Sequence, residues 1–245
     1  MDQLLASVLD AHGGLERWRE VTRLTAELST GGFFWAARGW PGASGRHTVT
    51  LDPQRQHVTL SSFPQDRLES VFETDPERVI IRSHQTGLVE KREQPRASFP
   101  TTFDIQTTPW DSVQLAYFTA SALWNYLTAP YLFTYPGFKA SETEPWQENG
   151  EVWRRLAVTF PPAIATHNRD QVFYYDQHFM QRRMDYAPDV AGGAPIAHYT
   201  HAPKNFDGHV FPTRRLVHPR DPAGIADRAL APITLDIQQL TLDRD

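Results

Sequence analysis

From Arg23 to Leu28, apolar and polar residues alternate one for one. Leu24, Ala26 and Leu28 are interleaved with Arg23, Thr25 and Glu27. A period of two is that of a strand with one face buried. Similar strand segments recur at 46–51, 54–62, 67–74 and 77–83. Turn formers such as Asp52-Pro53, Pro64-Gln65-Asp66 and Asp75-Pro76 separate them. Within 67–74, Leu68, Ser70 and Phe72 face one way and Glu69, Val71 and Glu73 the other. Short strands at close spacing predict an antiparallel meander. Ahead of it, Leu4, Leu5, Val8, Leu9, Leu15 and Trp18 repeat at helical spacing across 2–20. Gly13-Gly14 divides that stretch into two short helices, and Gly31-Gly32 marks a bulge or turn after the first strand. Residues 92–108 carry two prolines and little periodicity, and read as a loop.

The rhythm changes at 108–128. Thr108 is placed to cap a helix, Pro109 to fill its first position, and Asp111 to stand three residues after the cap. Val113, Leu115, Ala116, Phe118, Leu123 and Leu127 then make the segment apolar nearly all round. Such a helix is buried on every side, and its natural place is inside the curve of a sheet. Strands return from 137. They comprise 152–161, a hairpin over 171–186 around Asp176-Gln177-His178, a second hairpin around Asn205-Phe206-Asp207-Gly208, and a last strand at 233–242. No repeat or linker interrupts this order, which predicts one domain over 1–245.

Composition narrows the function. The 245 residues include 40% hydrophobic and 22% charged side chains, with a net charge of −5. That balance, with no basic run, predicts no nucleic-acid partner. The absence of cysteine excludes disulfides, thiolate zinc sites and cysteine nucleophiles. The opening MDQLLASVLDAHGG has no basic region and no apolar run of signal-peptide length, and no window is long enough to span a membrane. The expected location is cytoplasmic. Seven Trp, eight Tyr and fourteen Phe supply either a large aromatic core or an aromatic-lined cavity for an apolar ligand.

Three stretches carry a family resemblance. AHGGLERWREVTRLTAELS is similar to the opening helix and first strand of the LolA/LolB-like superfamily, which includes outer membrane lipoprotein-sorting proteins. FYYDQHFMQRRMDY resembles its strand–turn–strand, and NFDGHVFPTRRLV its Asp-Gly turn followed by a strand with a proline. WNYLT and IATHNRDQ resemble segments of soluble homologues in the same group. The resemblance implies a mainly β (α+β) fold: an unclosed antiparallel β-barrel, or half-barrel, with an N-terminal helix and a buried central helix. It also implies a hydrophobic ligand on the concave face. The chain departs from the family pattern in having no signal peptide and no lipobox cysteine.

The residues themselves offer several candidate chemistries. HYTHAPKNFDGHVFPTRR (198–215) packs three histidines into twelve residues. On a strand, His198 and His201 point to opposite faces, so they cannot share a metal, and no HExxH or His-x-His occurs. No metal site is expected. Pairing across the hairpin would bring His209 towards His201, and His198 is the histidine expected to face the cavity. His167, with Asp170 nearby, and Asp111 are further acid–base candidates. On the central helix, Tyr117, Ser121, Trp124 and Thr128 share a face. Tyr117, Trp124 and the adjacent Asn125 are therefore candidate ligand contacts. Arg183 and Asp185 share a strand face, with Tyr174 opposite and Arg214 and Arg215 further on; such a pair could orient a ligand carbonyl or carboxylate.

Phosphate loops, GxGxxG and nucleophile elbows are absent, so no cofactor is expected. Two functions remain open at this stage. One is a module that binds a hydrophobic small molecule. The other is a cofactor-free isomerase, cyclase or hydrolase that uses acid–base chemistry in the same cavity.

Overall fold

The computed structural model describes residues 1–244. The N-terminal half lays down β1 (Val21–Gly31), β2 (Gly45–Asp52), β3 (His57–Ser61), β4 (Leu68–Thr74), β5 (Glu77–Ser83) and β6 (Gly87–Glu93). The C-terminal half adds β7 (Lys139–Glu148), β8 (Glu151–Thr159), β9 (Asp170–Tyr175) and β10 (Gln181–Tyr186). It finishes with β11 (Ile196–Phe206), β12 (His209–Pro219) and β13 (Ile233–Arg244). All thirteen join one antiparallel sheet in the order β6-β5-β4-β3-β2-β1-β13-β12-β11-β10-β9-β8-β7. The two halves are stitched by β1 against β13. Strands β6 and β7 follow one another among the strands yet form opposite edges, so the sheet curls without closing. The chain between them must cross the open side, and it carries the long helix there.

Four α-helices accompany the sheet: α1 (Gln3–Ala11), α2 (Leu15–Arg19), α3 (Phe34–Ala37) and α4 (Ser112–Thr128). Every residue of α4 from Val113 to Thr128 is buried, as its all-round apolar pattern requires. It packs against the inner faces of β3, β4 and β5. Those faces present Val58, Leu60, Phe72, Val79 and Ile81 through strict strand alternation. A register shift between Val21 and Arg23 resets the alternation, so Val21 and Leu24 both turn inward. Trp18, following α1, stacks on Tyr131 with centroids 4.2 Å apart and closes one end of the core.

Two glycines fix the path of the chain. At Gly32 (φ +95°) a Cβ would lie 2.2 Å from the Pro232 carbonyl oxygen, so only glycine lets β1 turn into α3 beside β13. Asp207 and Gly208 both have positive φ, the conformation of the tight β11–β12 turn.

Three expectations need correction. Helix α4 does not start from Thr108-Pro109: its N-cap is Asp111, whose side chain accepts from the Gln114 amide while the Gln114 side chain accepts from the Asp111 amide. The Thr108 hydroxyl instead accepts from the Asp104 amide, because Trp110 must pack among Phe34, Phe99 and Phe103 before the helix begins. The loop expected at 92–108 is preceded by a strand the pattern did not show. β6 is a charged edge strand (Glu90, Lys91, Arg92, Glu93), a composition that suits an exposed edge and hides its period. His209 is not near His201: it pairs with Phe206 at the turn, while His201 lies opposite Arg214.

Candidate functional site

Helix α4 presents two different stripes. The face read from the sequence, Tyr117, Ser121, Trp124 and Thr128, is largely satisfied by protein. Trp124 Nε1 donates to the carbonyls of Asp52 and Arg55 at 2.8 and 3.0 Å, in the β2–β3 turn. Ser121 and Thr128 donate back to the carbonyls of Phe118 and Trp124. The Tyr117 hydroxyl accepts from Arg96 at 3.3 Å. Asn125 donates to the Ala165 carbonyl at 3.0 Å, and its Oδ1 has no partner. The stripe that lines the interior cavity is Thr119, Ala122, Leu123 and Tyr126, at i, i+3, i+4 and i+7.

That cavity measures ≈ 40 Å³ and lies between α4, Trp35 of α3, and strands β11, β12 and β13. Two of the sequence candidates meet beside it. The Tyr126 hydroxyl lies 2.7 Å from His167 Nε2 and 3.3 Å from the Tyr186 hydroxyl, which lies 3.3 Å from His198 Nδ1. The His167 ring stacks on Tyr186 at 4.3 Å, and Tyr126 meets His198 edge-on at 4.8 Å. The result is a continuous chain, His167–Tyr126–Tyr186–His198, wholly inside the protein.

Burial controls its ionisation. It lowers His167 to about 3, with the Arg96 charge adding to the effect. It takes His198 well below the ordinary histidine range, with Arg215 the next cause. It pushes Tyr126 up to about 12 and Tyr186 well above its usual value. All four are neutral at pH 7.

Arg215 completes the wall. It is 2% exposed, and its Nη2 donates to the Tyr126 carbonyl at 3.1 Å with the guanidinium 4.8 Å from the Tyr126 ring centroid. Burial lowers its pKa to about 10, so it stays cationic. Its Nε and Nη1, His198 Nε2 and Thr119 Oγ1 are buried without hydrogen-bond partners. Neither Arg215 nor Tyr126 was singled out for this role from the sequence. The signal was there for Arg215, because Phe211, Thr213 and Val217 share its strand face and an arginine interrupts that inward series.

A second, larger pocket of ≈ 430 Å³ lies on the other side of a thin wall. Tyr117 and Thr166 line it, and their sequence neighbours Phe118 and His167 belong to the interior. Arg96 holds this pocket together, donating to the Thr166 carbonyl at 2.9 Å and to Asp189 Oδ2 at 2.6 Å. Glu77 also lines it, with its carboxyl raised by burial against the pull of Arg96. One wall is the 160–169 loop, pinned by Gln56. Gln56 donates to the Ala165 carbonyl at 2.8 Å and accepts from the Ala165 amide at 2.7 Å.

The remaining candidates lie elsewhere. Asp111 caps α4 and pairs with Arg92 at 2.7 Å. Tyr174, Arg183 and Asp185 lie on the outer face of the sheet, in a cluster with Trp153 and Tyr199. Arg183 is saturated there. It donates to Asp185 at 2.6 and 2.8 Å, to Glu148 at 3.1 Å, to Tyr199 at 3.2 Å and to the Gly224 carbonyl at 2.7 Å. Burial pulls its pKa down, but the bonds and charge of Asp185 hold it above its ordinary value. The sheet thus separates this trio from Tyr117, Trp124 and Asn125.

The architecture has known counterparts. A LolA superfamily protein from Nitrosomonas europaea superposes with a TM-score of 0.53 at 9% identity, covering 98% of this chain and 93% of the other. A DUF1329 family protein from Desulfovibrio piger gives 0.53 at 11% identity, covering 99% and 94%. No family model and no curated protein matches the sequence. The chain therefore has the LolA-like fold, an unclosed half-barrel with helices in its concavity. No helix among the described residues is long and apolar enough to cross a membrane.

Proposed function

We propose that the protein binds a hydrophobic small molecule on the concave face of its half-barrel, between α4 and strands β11, β12 and β13. One observation carries this reading: a cavity walled by Trp35, Phe118, Leu123, Val217 and Leu235 also gathers four buried polar atoms that the protein leaves unpartnered. Small-molecule sites combine an apolar lining with a few convergent polar groups in this way. Ordinary cores instead satisfy their buried polar groups. At ≈ 40 Å³ the cavity takes only a small part of a ligand. The rest displaces side chains on α4 or extends towards the ≈ 430 Å³ pocket beyond Phe118 and His167.

The test is native mass spectrometry of the purified protein before and after mild denaturation, followed by titration with a neutral apolar fluorophore. The expected result is a co-purified apolar molecule, or saturable fluorophore binding that Leu123→Trp weakens. If no apolar molecule is carried and the fluorophore does not saturate, the reading is wrong.

A cofactor-free enzyme is the second reading, favoured by the His167–Tyr126–Tyr186–His198 chain, which could pass a proton along its length. It ranks second because His167 at about 3 and Tyr126 at about 12 lie far from neutrality. Acid–base catalysis works best with groups near the working pH.

A further inference from the structure

We propose that the molecule bound on the concave face carries a carboxylate head group, seated against Arg215. The inference rests on the binding reading above and adds the chemical class of the ligand. Arg215 is a cation inside the core with no carboxylate among the described residues paired to it, and two of its nitrogens have no partner. An isolated charge in a low-dielectric interior is costly unless something of opposite sign meets it.

The chain's two other fully buried guanidinium groups are placed differently. Arg183 is enclosed by Asp185 and Glu148. Arg38 donates to the carbonyls of Asp104 and Ile105 and lies between the rings of Phe34 and Phe103. It too has two unpartnered nitrogens, but it lines neither pocket described here. Arg215 has one carbonyl and one ring, and it opens onto a cavity.

Size and donor placement fit a carboxylate. A volume of ≈ 40 Å³ is room for about three waters at roughly 10–15 Å³ each, the same number of heavy atoms as a carboxylate. Thr119 and His198 line the same cavity, their Oγ1 and Nε2 have no partner, and both can donate. The internal chain can present His198 as a donor. With His167 Nε2 protonated, its N–H donates to Tyr126, Tyr126 donates to Tyr186, and Tyr186 donates to His198 Nδ1. The remaining His198 proton then sits on Nε2, facing the cavity. An oxyanion at Arg215 favours this direction over its reverse, and the arrangement leaves both histidines neutral, as burial requires.

The experiment displaces N-phenyl-1-naphthylamine from the full chain with decanoic acid, decanol and decylamine at about pH 7. The expected order is acid first, binding about tenfold or more tighter than the alcohol, with the amine weakest. Arg215→Met should erase the preference for acid, read as the ratio of acid to alcohol affinity within the same variant; Arg215→Lys should restore part of that ratio. The wild-type series decides the matter even if a variant folds poorly. Acid and alcohol displacing equally would overturn the carboxylate and leave the binding reading standing. Tighter binding of the amine would also overturn it. If the fluorophore fails to bind and the purified protein carries no apolar molecule, both proposals fall; if it carries one that lacks a carboxylate, the carboxylate alone falls.

Discussion

The Tyr126 hydroxyl sits 2.7 Å from Nε2 of His167 and ties the last turns of α4 to the loop between β8 and β9. Both partners are buried, so an unpaired group there has little access to water. Tyr126→Phe removes the hydroxyl, leaves the imidazole nitrogen unpaired, and should cost about 1–3 kcal/mol. In a double-mutant cycle with His167→Phe, the pair should lose less than the sum of its single losses. Urea denaturation of the four proteins checks this, and strict additivity would show that the contact contributes nothing of its own.

The same histidine makes stability depend on pH. Below pH 6.5 the unfolded chain takes up a proton at His167 that the native protein refuses down to about pH 3. Stability therefore falls as pH falls through that window, by about 2 kcal/mol at pH 5 from this group, at about 1.4 kcal/mol per pH unit. His198 acts in the same direction. A thermal melt series from about pH 7 to pH 4 should show the decline, and His167→Gln, which can still bond Tyr126, should make it shallower. An unchanged slope in that variant would place the acid sensitivity elsewhere.

On the outer face, Asp185 accepts from Arg183 and Tyr174 and pairs with Arg220 at 3.2 Å. Asp185→Ala leaves a fully buried guanidinium short of its main partner, and the expected loss is about 3–5 kcal/mol. Fluorophore binding by the variant that remains folded should be unchanged, because this cluster and the interior cavity lie on opposite sides of the sheet. Weakened binding at full folding would mean that the two faces are coupled.

Why the sequence disclosed the sheet but only part of the site follows from what each depends on. Alternation in β1 to β5 and the apolar band of α4 are local patterns, and burial enforces them residue by residue. Strand β6 escaped because an exposed edge needs no apolar face. Strand parity separates His198 from His201 but does not say which of them faces inward. Arg183 and Asp185 could be paired by the same parity, but which face is concave is a property of the whole curl. Tyr126 lay hidden because every residue around it on α4 is buried, so no pattern distinguishes a wall of the cavity from the rest of the core. The meeting of His167 with Tyr126, 41 residues apart in sequence, depends on the loop crossing the open side, which no local period encodes.

That crossing is held by Gln56, which is 2% exposed and exchanges two hydrogen bonds with the backbone of Ala165. Gln56→Ala breaks both. The Ala165 carbonyl keeps its bond from Asn125, but its amide loses its partner, so the loop should loosen before the sheet does. The expected loss of global stability is about 1–2 kcal/mol. Hydrogen exchange should quicken sharply at the Ala165 amide, while the β1–β13 ladder keeps its protection. Because this loop walls the larger pocket, fluorophore association should also accelerate, with the equilibrium affinity changing less than the rate. Unaltered exchange at Ala165 would show that the other bonds of the loop suffice, and that Gln56 does not hold the open side shut.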